Sequence, residues 1–200
     1  LKSLMSDVTR VRIEIDSVSK SFEALLKSES KAKEMIGGLK ELSIKSGLNT
    51  YGAAQTLLGF NVDAEKVLPT LKSIGDITMG NNEKFSSMTL AFAQMSAAGR
   101  LMGQDLNQMI NAGFNPLQVI SEKTGKSIAV LKKEMEQGAI SSEMVADAFA
   151  AATSEGGRFY NMLEKQNTGI RGERNKQNAV IKEKLNEIGE ANEELIAGSY

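Results

Sequence analysis

The sequence predicts an all-α protein, with a compact multi-helix central domain flanked by long coiled-coil-like helices at its N- and C-terminal ends. Only two of the 200 residues are proline, and residues that favour helices, such as Lys, Glu, Ala and Leu, are abundant. No segment combines the period-two alternation and the β-branched enrichment that are typical of strands. We therefore divide the chain into a helix over 1–46, a helical domain over 47–170 and a charged helix over 171–200.

The composition excludes several classes of function. A net charge of −1 creates no global field that would attract nucleic acid or an anionic membrane. No run approaches the ~20 apolar residues that span a bilayer. The chain lacks Cys and His, which removes thiolate nucleophiles, imidazole bases and the usual zinc ligands. We therefore expect no enzyme activity, no catalytic residue, no cofactor, no metal and no sequence-specific binding of nucleic acid.

The N-terminal segment carries a heptad pattern of apolar side chains. Their spacing alternates between three and four residues, at Leu1, Leu4, Val8, Val11, Ile15, Val18, Phe22 and Leu25. Glu29 interrupts the pattern, and it resumes from Ala32 to Leu39. Such a seam is typical either of a coiled coil or of a surface helix that docks on its own domain.

The first residue is Leu1 rather than Met, so we expect the chain to be a piece of a longer protein.

Several boundaries of the helices can be predicted from capping residues. Asp63, Asn82 and Ser127 precede helical patterns, and either Ser141 or Ser142 precedes another. Asn115 is followed by Pro116, a residue that suits the first position of a helix. Further glycines and asparagines mark turns. The last segment places Ile181, Leu185, Ile188 and Leu195 in a charged helix with weak heptad character.

The longest predicted helix of the central domain, over 82–112, has a gap in its apolar seam. The seam reads Phe85, Met88, Phe92, Met95, Gly99, Met102, Leu106, Met109, so a glycine occupies a position where a large residue is due. Gly99 and Gly103 together would let another backbone approach closely. That neighbour could be part of the same domain or a separate partner.

From this gap we predict an interaction surface. Its residues are Gly99, Arg100, Gly103, Gln104, Asp105, Gly113, Phe114 and Pro116. The two glycines of the gap would allow close approach, and the charges of Arg100 and Asp105 would fix the register of the partner.

Three stretches resemble the tape measure proteins of long-tailed bacteriophages. The most specific reads AAGRLMGQDLNQMINAGFNPLQVIS, which is similar to that family's Gly-Arg/Lys-Leu-x-Gly-Gln-Asp-Leu run and Pro-Leu-x-x-Ile helix start. Upstream lies AAQTLLGFNVDAEKVLPTLKSIGDITMGN, and downstream lies GAISSEMVADAFAAATSEGGRFYNML, each similar to the corresponding part of the family. The resemblance covers about residues 42–170, and it departs from the family at NTGIRGERN.

The resemblance implies a structural role. Proteins of this family are long helical rods around which the tail tube polymerises, so that their length sets the length of the tail, and they leave the tube ahead of the DNA during ejection. It implies tail-tube and tail-assembly proteins as partners, self-association through helices, and a location in the tail lumen after assembly in the host cytoplasm. This chain would be a folded, N-proximal segment of such a ruler.

Two further patterns suggest nucleotide binding and DNA binding, but each lacks residues that the function requires. The stretch KTGKS at 123–127 lacks the first glycine of a phosphate-binding loop, because position 120 is Ile. The helix pair around GAIS has the outline of a helix-turn-helix, but its second helix has Glu143 and Asp147 and no basic residue. The remaining alternative to a tape measure protein is a generic helical scaffold or coiled-coil adaptor of bacterial origin.

Overall fold

The computed structural model describes residues 2–198, and the all-α prediction is confirmed for them. This part of the chain forms twelve helices and no strand. The helices are α1 Lys2–Leu26, α2 Glu29–Ser46, α3 Thr50–Gly59, α4 Ala64–Ile77, α5 Asn82–Ala98, α6 Gly103–Asn111, α7 Pro116–Thr124, α8 Ile128–Glu136, α9 Ser142–Thr153, α10 Met162–Gln166, α11 Ile170–Ala191 and α12 Glu193–Ala197.

The predicted single helix over 1–46 is wrong, because the chain breaks between α1 and α2. Lys27 adopts a left-handed conformation with φ 51°, and Ser28 is extended and accepts a hydrogen bond from the backbone N–H of Lys31 at 3.3 Å. This serine cap starts a new helix at the point where Glu29 interrupts the heptad pattern. The break therefore follows from local capping rather than from the apolar seam.

Much of the N-terminal heptad seam packs inside the molecule. Val8, Val11 and Phe22 are buried, and Val18 packs against the main core. The interpretation of a surface helix docked on its own domain accounts for these side chains. The first position of the seam, Leu1, lies outside the described residues.

The predicted helix over 82–112 is also wrong, since it is two helices. α5 ends at Ala98, and α6 starts at Gly103 after a short connection. The apolar period nevertheless continues across the break, because Met95 before it and Met109 after it are both fully buried. The heptad spacing predicts the buried methionines on either side of the break, but it does not predict the break itself, where Met102 of the seam is 41% exposed.

Most of the predicted caps are confirmed. The side chains of Asn115, Ser127 and Ser141 each accept a backbone hydrogen bond at the start of their helices. The cap of α5 is Asn81 rather than Asn82, which is its first helical residue. The helix that Asp63 precedes, α4, runs through Gly75 and ends at Ile77.

The core is continuous from α1 to α10. It contains Phe22 of α1 and Leu163 of α10, together with the apolar faces of the helices between them. Its aromatic part is a chain of edge-to-face rings, in which Phe149 lies 5.4 Å from Phe92 and 4.7 Å from Phe114 between ring centroids. The three-part division at 46/47 and 170/171 stays a prediction about domain organisation.

The last long helix packs back on the first two. Lys182 of α11 donates to Glu14 at 2.7 Å, and Arg12 donates to Glu193, beyond the end of α11, at 3.2 Å. Because residue numbers fall along α1 as they rise along α11, the two helices run antiparallel over this stretch. Lys40 of α2 forms an ion pair with Glu183, which attaches α11 to α2 as well.

Candidate partner-binding surface

Five of the residues predicted as an interaction surface, namely Gly99, Arg100, Gly103, Gln104 and Asp105, lie at the corner between α5 and α6, whereas Gly113, Phe114 and Pro116 follow the other end of α6. Two backbone hydrogen bonds fix this corner to the connection between α8 and α9. The N–H of Leu101 donates to the carbonyl of Ile140 at 2.9 Å, and the N–H of Ser142 donates to the carbonyl of Gly99 at 3.1 Å. The segment around Arg100 thus forms an isolated antiparallel bridge with Ser141, which holds the corner rigidly on the domain.

Gly99 is a helix terminus rather than a gap in a helix. It follows the last residue of α5 with φ 72°, a left-handed conformation that glycine adopts without strain. A Cβ built on Gly99 or on Gly103 would meet no atom within 4 Å. The expectation that these glycines admit another backbone of the same domain is therefore wrong.

Close approach of two helices inside the chain occurs at other glycines. A Cβ on Gly75 would lie 2.6 Å from Leu163 Cδ1, and one on Gly38 would lie 2.5 Å from Leu68 Cδ1. Gly75 is followed by Asp76, which is 2% exposed and accepts a hydrogen bond from the backbone N–H of Leu163 at 2.8 Å. These residues seat α10 on α4.

The sequence pattern alone assigns no role to the Gly75-Asp76 pair. The sequence feature that indicates a structural role is an acidic residue directly after a glycine within an apolar helical pattern. Burial raises the pKa of Asp76, while the Leu163 hydrogen bond acts in the opposite direction.

Asp105 caps a helix and is not available as a surface charge. It is 2% exposed, and its Oδ2 accepts a hydrogen bond from the backbone N–H of Met102 at 3.2 Å. The carboxylate thus closes the first turn of α6, in the manner of the acidic half of a capping box. Burial raises its pKa. The predicted role of Asp105 in fixing a partner's register by charge does not fit this position.

The other predicted residues divide into exposed and buried ones. Arg100 and Gln104 are exposed, like the three glycines of the set, Gly99, Gly103 and Gly113. Phe114 and Pro116 are buried, and Phe114 packs on the aromatic rings of the core. The guanidinium of Arg100 lies over the backbone of Gly138, because a Cβ there would be 2.8 Å from Arg100 Nη1.

The exposed part of the corner between α5 and α6 carries mostly small side chains. Ala97 and Ala98 are exposed next to the glycine of the corner, and the larger Met102 is half-exposed. An open groove of about 890 Å³ lies at the other end of α6, lined by Ile110, Gly113 and Phe114, by residues of α7, and by residues at and after the end of α9. We name the four exposed residues at the corner, Gly99, Arg100, Gly103 and Gln104, the corner surface, whereas Gly113 is exposed at the other end of α6.

The side chains of the described residues offer no cluster of three or more metal ligands. Nor is any helix among residues 2–198 long and apolar enough to cross a membrane. The buried carboxylates described above, those of Asp76 and Asp105, accept hydrogen bonds from backbone N–H groups of the chain itself.

A sequence profile described as tape measure protein matches residues 6–197 of the chain. This match spans nearly all of the sequence. The chain belongs to the tape measure protein family. The suspected resemblance over about 42–170 is thereby confirmed and extended into both terminal helices.

Neither a curated protein nor a solved structure matches the chain. Membership of the tape measure protein family gives the chain a structural role in a phage tail. It also favours this role over the alternative of a generic bacterial adaptor.

Proposed function

We propose that the chain is a segment of a phage or prophage tape measure protein that templates assembly of the tail tube, sets the length of the tail, and is released when DNA is ejected. The observation that carries the proposal is the family match over residues 6–197. The helical fold supports it, since a helix converts residue number into length at a constant ~1.5 Å per residue.

The folded arrangement limits how much length this segment can supply. A fully helical chain of this size would be roughly 300 Å long, whereas a compact domain of the same size is about 40 Å across. Because α11 packs antiparallel on α1, the ends of the segment fold back on each other. We infer that the segment acts as a folded module of the ruler, and that helical spacer supplies most of the measured length.

The proposed partners are tail-tube and tail-assembly proteins, which the segment would meet in the host cytoplasm during assembly and in the tail lumen afterwards. We propose the corner surface as the site of contact. Its glycines would let a partner's backbone approach, and Arg100 would supply one positive charge. The buried Asp105 would support this surface from beneath without touching the partner, and the buried Phe114 and Pro116 would fix the other end of α6 on the domain. We also propose self-association through helices.

The test is to duplicate residues 6–197 in frame in the parent phage and to measure tail length by electron microscopy. A duplication retains one intact copy of the module, so that loss of an assembly function does not confuse the result. We expect longer tails: by about 40 Å if the added copy is folded in the tube, and by up to about 290 Å if it is extended. Complete particles with tails of unchanged length would contradict a length-setting role for this segment.

A further inference from the structure

Helix α11 adds no side chain to the main apolar core. Within residues 2–198 this core runs from Phe22 to Leu163, before α11 begins. The residues that α11 buries are small or polar, namely Gly172, Asn186 and Gly189. At Gly189, where a Cβ would lie 3.4 Å from Val8 Cγ1, the apolar side chain belongs to α1. Because hydrophobic stabilisation grows with the apolar area buried, it holds α11 less firmly than the helices of the core.

Ion pairs provide much of the attachment of α11. The pairs that join α11 and the start of α12 to the first two helices are Lys182–Glu14, Lys40–Glu183, Arg12–Glu190 and Arg12–Glu193. The side chains of both lysines and of the four glutamates are between 42% and 63% exposed, whereas that of Arg12 is 20% exposed. Dissolved salt screens the attraction between charges that water reaches. The attachment of α11 is therefore sensitive to ionic strength.

The contact between α11 and the first helices is also incompletely filled. A crevice of about 370 Å³ lies where α1, α2 and α11 meet. Its large apolar side chains come from the other helices and are Ile15, Ile36, Ile44 and Tyr51. Helix α11 contributes Ala179 and polar side chains, among them Asn178. Atoms that line unfilled space lack packing partners, so this contact gains less from dispersion than a packed core does.

Only the beginning of α11 is packed tightly on the domain. The guanidinium of Arg171 donates a hydrogen bond to the carbonyl of Gly80. A Cβ on Gly172 would overlap the carbonyl oxygen of Asn167, so the first turn of α11 lies directly on the end of α10. The ion pairs and the crevice lie beyond this turn. The helix thus has a fixed base, and we call residues 175–197 the arm.

We propose that the arm separates from α1 and α2 when salt screens its ion pairs, while helices α1–α10 and the base of α11 stay folded. At low ionic strength the pairs to Glu14, Lys40 and Arg12 hold the arm in place. At 1 M salt the screening length is about 3 Å, so the attraction between these half-exposed partners is largely lost. This behaviour belongs to the isolated chain and does not depend on its role in a tail.

A separated arm loses helical structure, which makes the separation measurable. Isolated helices of about this length are marginal in water. The arm also contains Gly189 and the asparagines Asn175, Asn178 and Asn186, residue types that weaken a helix. Its backbone amides then exchange hydrogen with the solvent, whereas the amides of the folded core remain protected.

The first test measures hydrogen exchange of the wild-type chain by mass spectrometry at 0.05 M and 1 M NaCl, each expressed relative to exchange of α5. We expect the arm to exchange at least about fivefold faster at the higher salt concentration, with α5 unchanged. Two results would overturn the proposal. One is an arm that exchanges equally fast at both concentrations, and the other is an arm and α5 that accelerate together, because the domain then opens as a whole.

The second test reverses one charge of the attachment. Glu183→Lys places two positive charges together at Lys40, so we expect the arm to exchange about tenfold faster at low salt. The double variant Lys40→Glu/Glu183→Lys restores the pair in the reverse sense, and we expect wild-type exchange from it.

The matched control is Glu187→Lys. It changes the net charge equally, but Glu187 pairs with Lys184 of the same helix rather than with α1 or α2. We expect it to accelerate exchange of the arm much less than Glu183→Lys does. Equal acceleration by the two single variants, or a double variant that exchanges as fast as Glu183→Lys, would show that the ion pair does not hold the arm and would overturn the proposal.

Discussion

The backbone N–H of Leu163 donates a hydrogen bond to Asp76 Oδ1 at 2.8 Å, across 87 residues of sequence. The carboxylate belongs to the last turn of α4, and the N–H belongs to the first turn of α10. A buried carboxylate is costly to desolvate. This one offsets part of that cost by accepting a hydrogen bond from the first turn of α10.

Removing the acceptor should therefore destabilise the fold. We expect Asp76→Ala to lower the free energy of unfolding by about 1–3 kcal/mol, because the N–H of Leu163 is left buried without a partner. Asp76→Asn keeps an oxygen acceptor and is expected to stay within about 1 kcal/mol of the wild type. Urea unfolding followed by circular dichroism measures both. Equal losses for the two variants would mean that the hydrogen bond is not what Asp76 contributes.

The same residue gives a prediction for pH dependence. Burial raises the pKa of Asp76 above its ordinary value of 3.8, so the folded state binds the proton more tightly than the unfolded state. Its contribution to stability therefore increases as the pH falls from neutral through the raised pKa towards 3.8. Asp105 contributes with the same sign.

We expect the stability of the wild type, relative to Asp76→Asn, to rise over this range. The comparison subtracts the groups that the two proteins share, including carboxylates with the usual opposite behaviour. Urea unfolding at a series of pH values provides the measurement. A difference that is constant with pH would contradict the raised pKa.

Two glycines in helices should respond in opposite ways to the same substitution. In Gly75→Ala the new Cβ would lie 2.6 Å from Leu163 Cδ1 and 3.2 Å from Leu48 Cδ1, so we expect a loss of about 1–3 kcal/mol from overpacking. Gly103→Ala meets no atom within 4 Å, so we expect no loss and a gain of up to about 1 kcal/mol. Thermal unfolding of the two variants is the assay, and a destabilised Gly103→Ala would show that a side chain at the start of α6 meets neighbouring atoms.

The corner surface can be tested without disturbing the fold. Gly103→Leu places a large side chain where this chain leaves open space, so the purified segment should unfold at an unchanged temperature. In the parent phage, we expect the same substitution to reduce the yield of complete tails at least about tenfold, because it blocks close approach of a partner. The yield is measured by electron microscopy, with Gly103→Ala as the control. Normal tails in the Leu variant would remove this surface from the proposed contacts.

The sequence predicts features of this fold that are local. Ser127 and Asn115 cap helices because each meets its backbone partner within three residues. The period of seven predicts that Met88, Met95, Met102 and Met109 are buried together, and all of them are except Met102, which lies at the break between α5 and α6. In each case the information lies within one or two helical turns.

The features that were missed depend on distant parts of the chain or on conformations that residue type does not specify. The break at Gly99 is held by hydrogen bonds to the connection before α9, and the apolar period continues through it. Lys27 is left-handed although it is not a glycine. Asp105 looked like a surface charge because nothing in its neighbourhood in the sequence predicts its burial.

The antiparallel pairing of α1 and α11 has a mechanical consequence. Arg12 lies beside Glu193 while Glu14 lies beside Lys182, so the free ends of both helices point to the same side of the molecule. Tension applied between those ends loads the contacts one after another, with the ties of Arg12 broken first and that of Lys182 later. The two helices therefore separate one contact at a time, from their free ends inward. Separating contacts in sequence requires less force than breaking them all at once, so we expect the segment to extend in small steps.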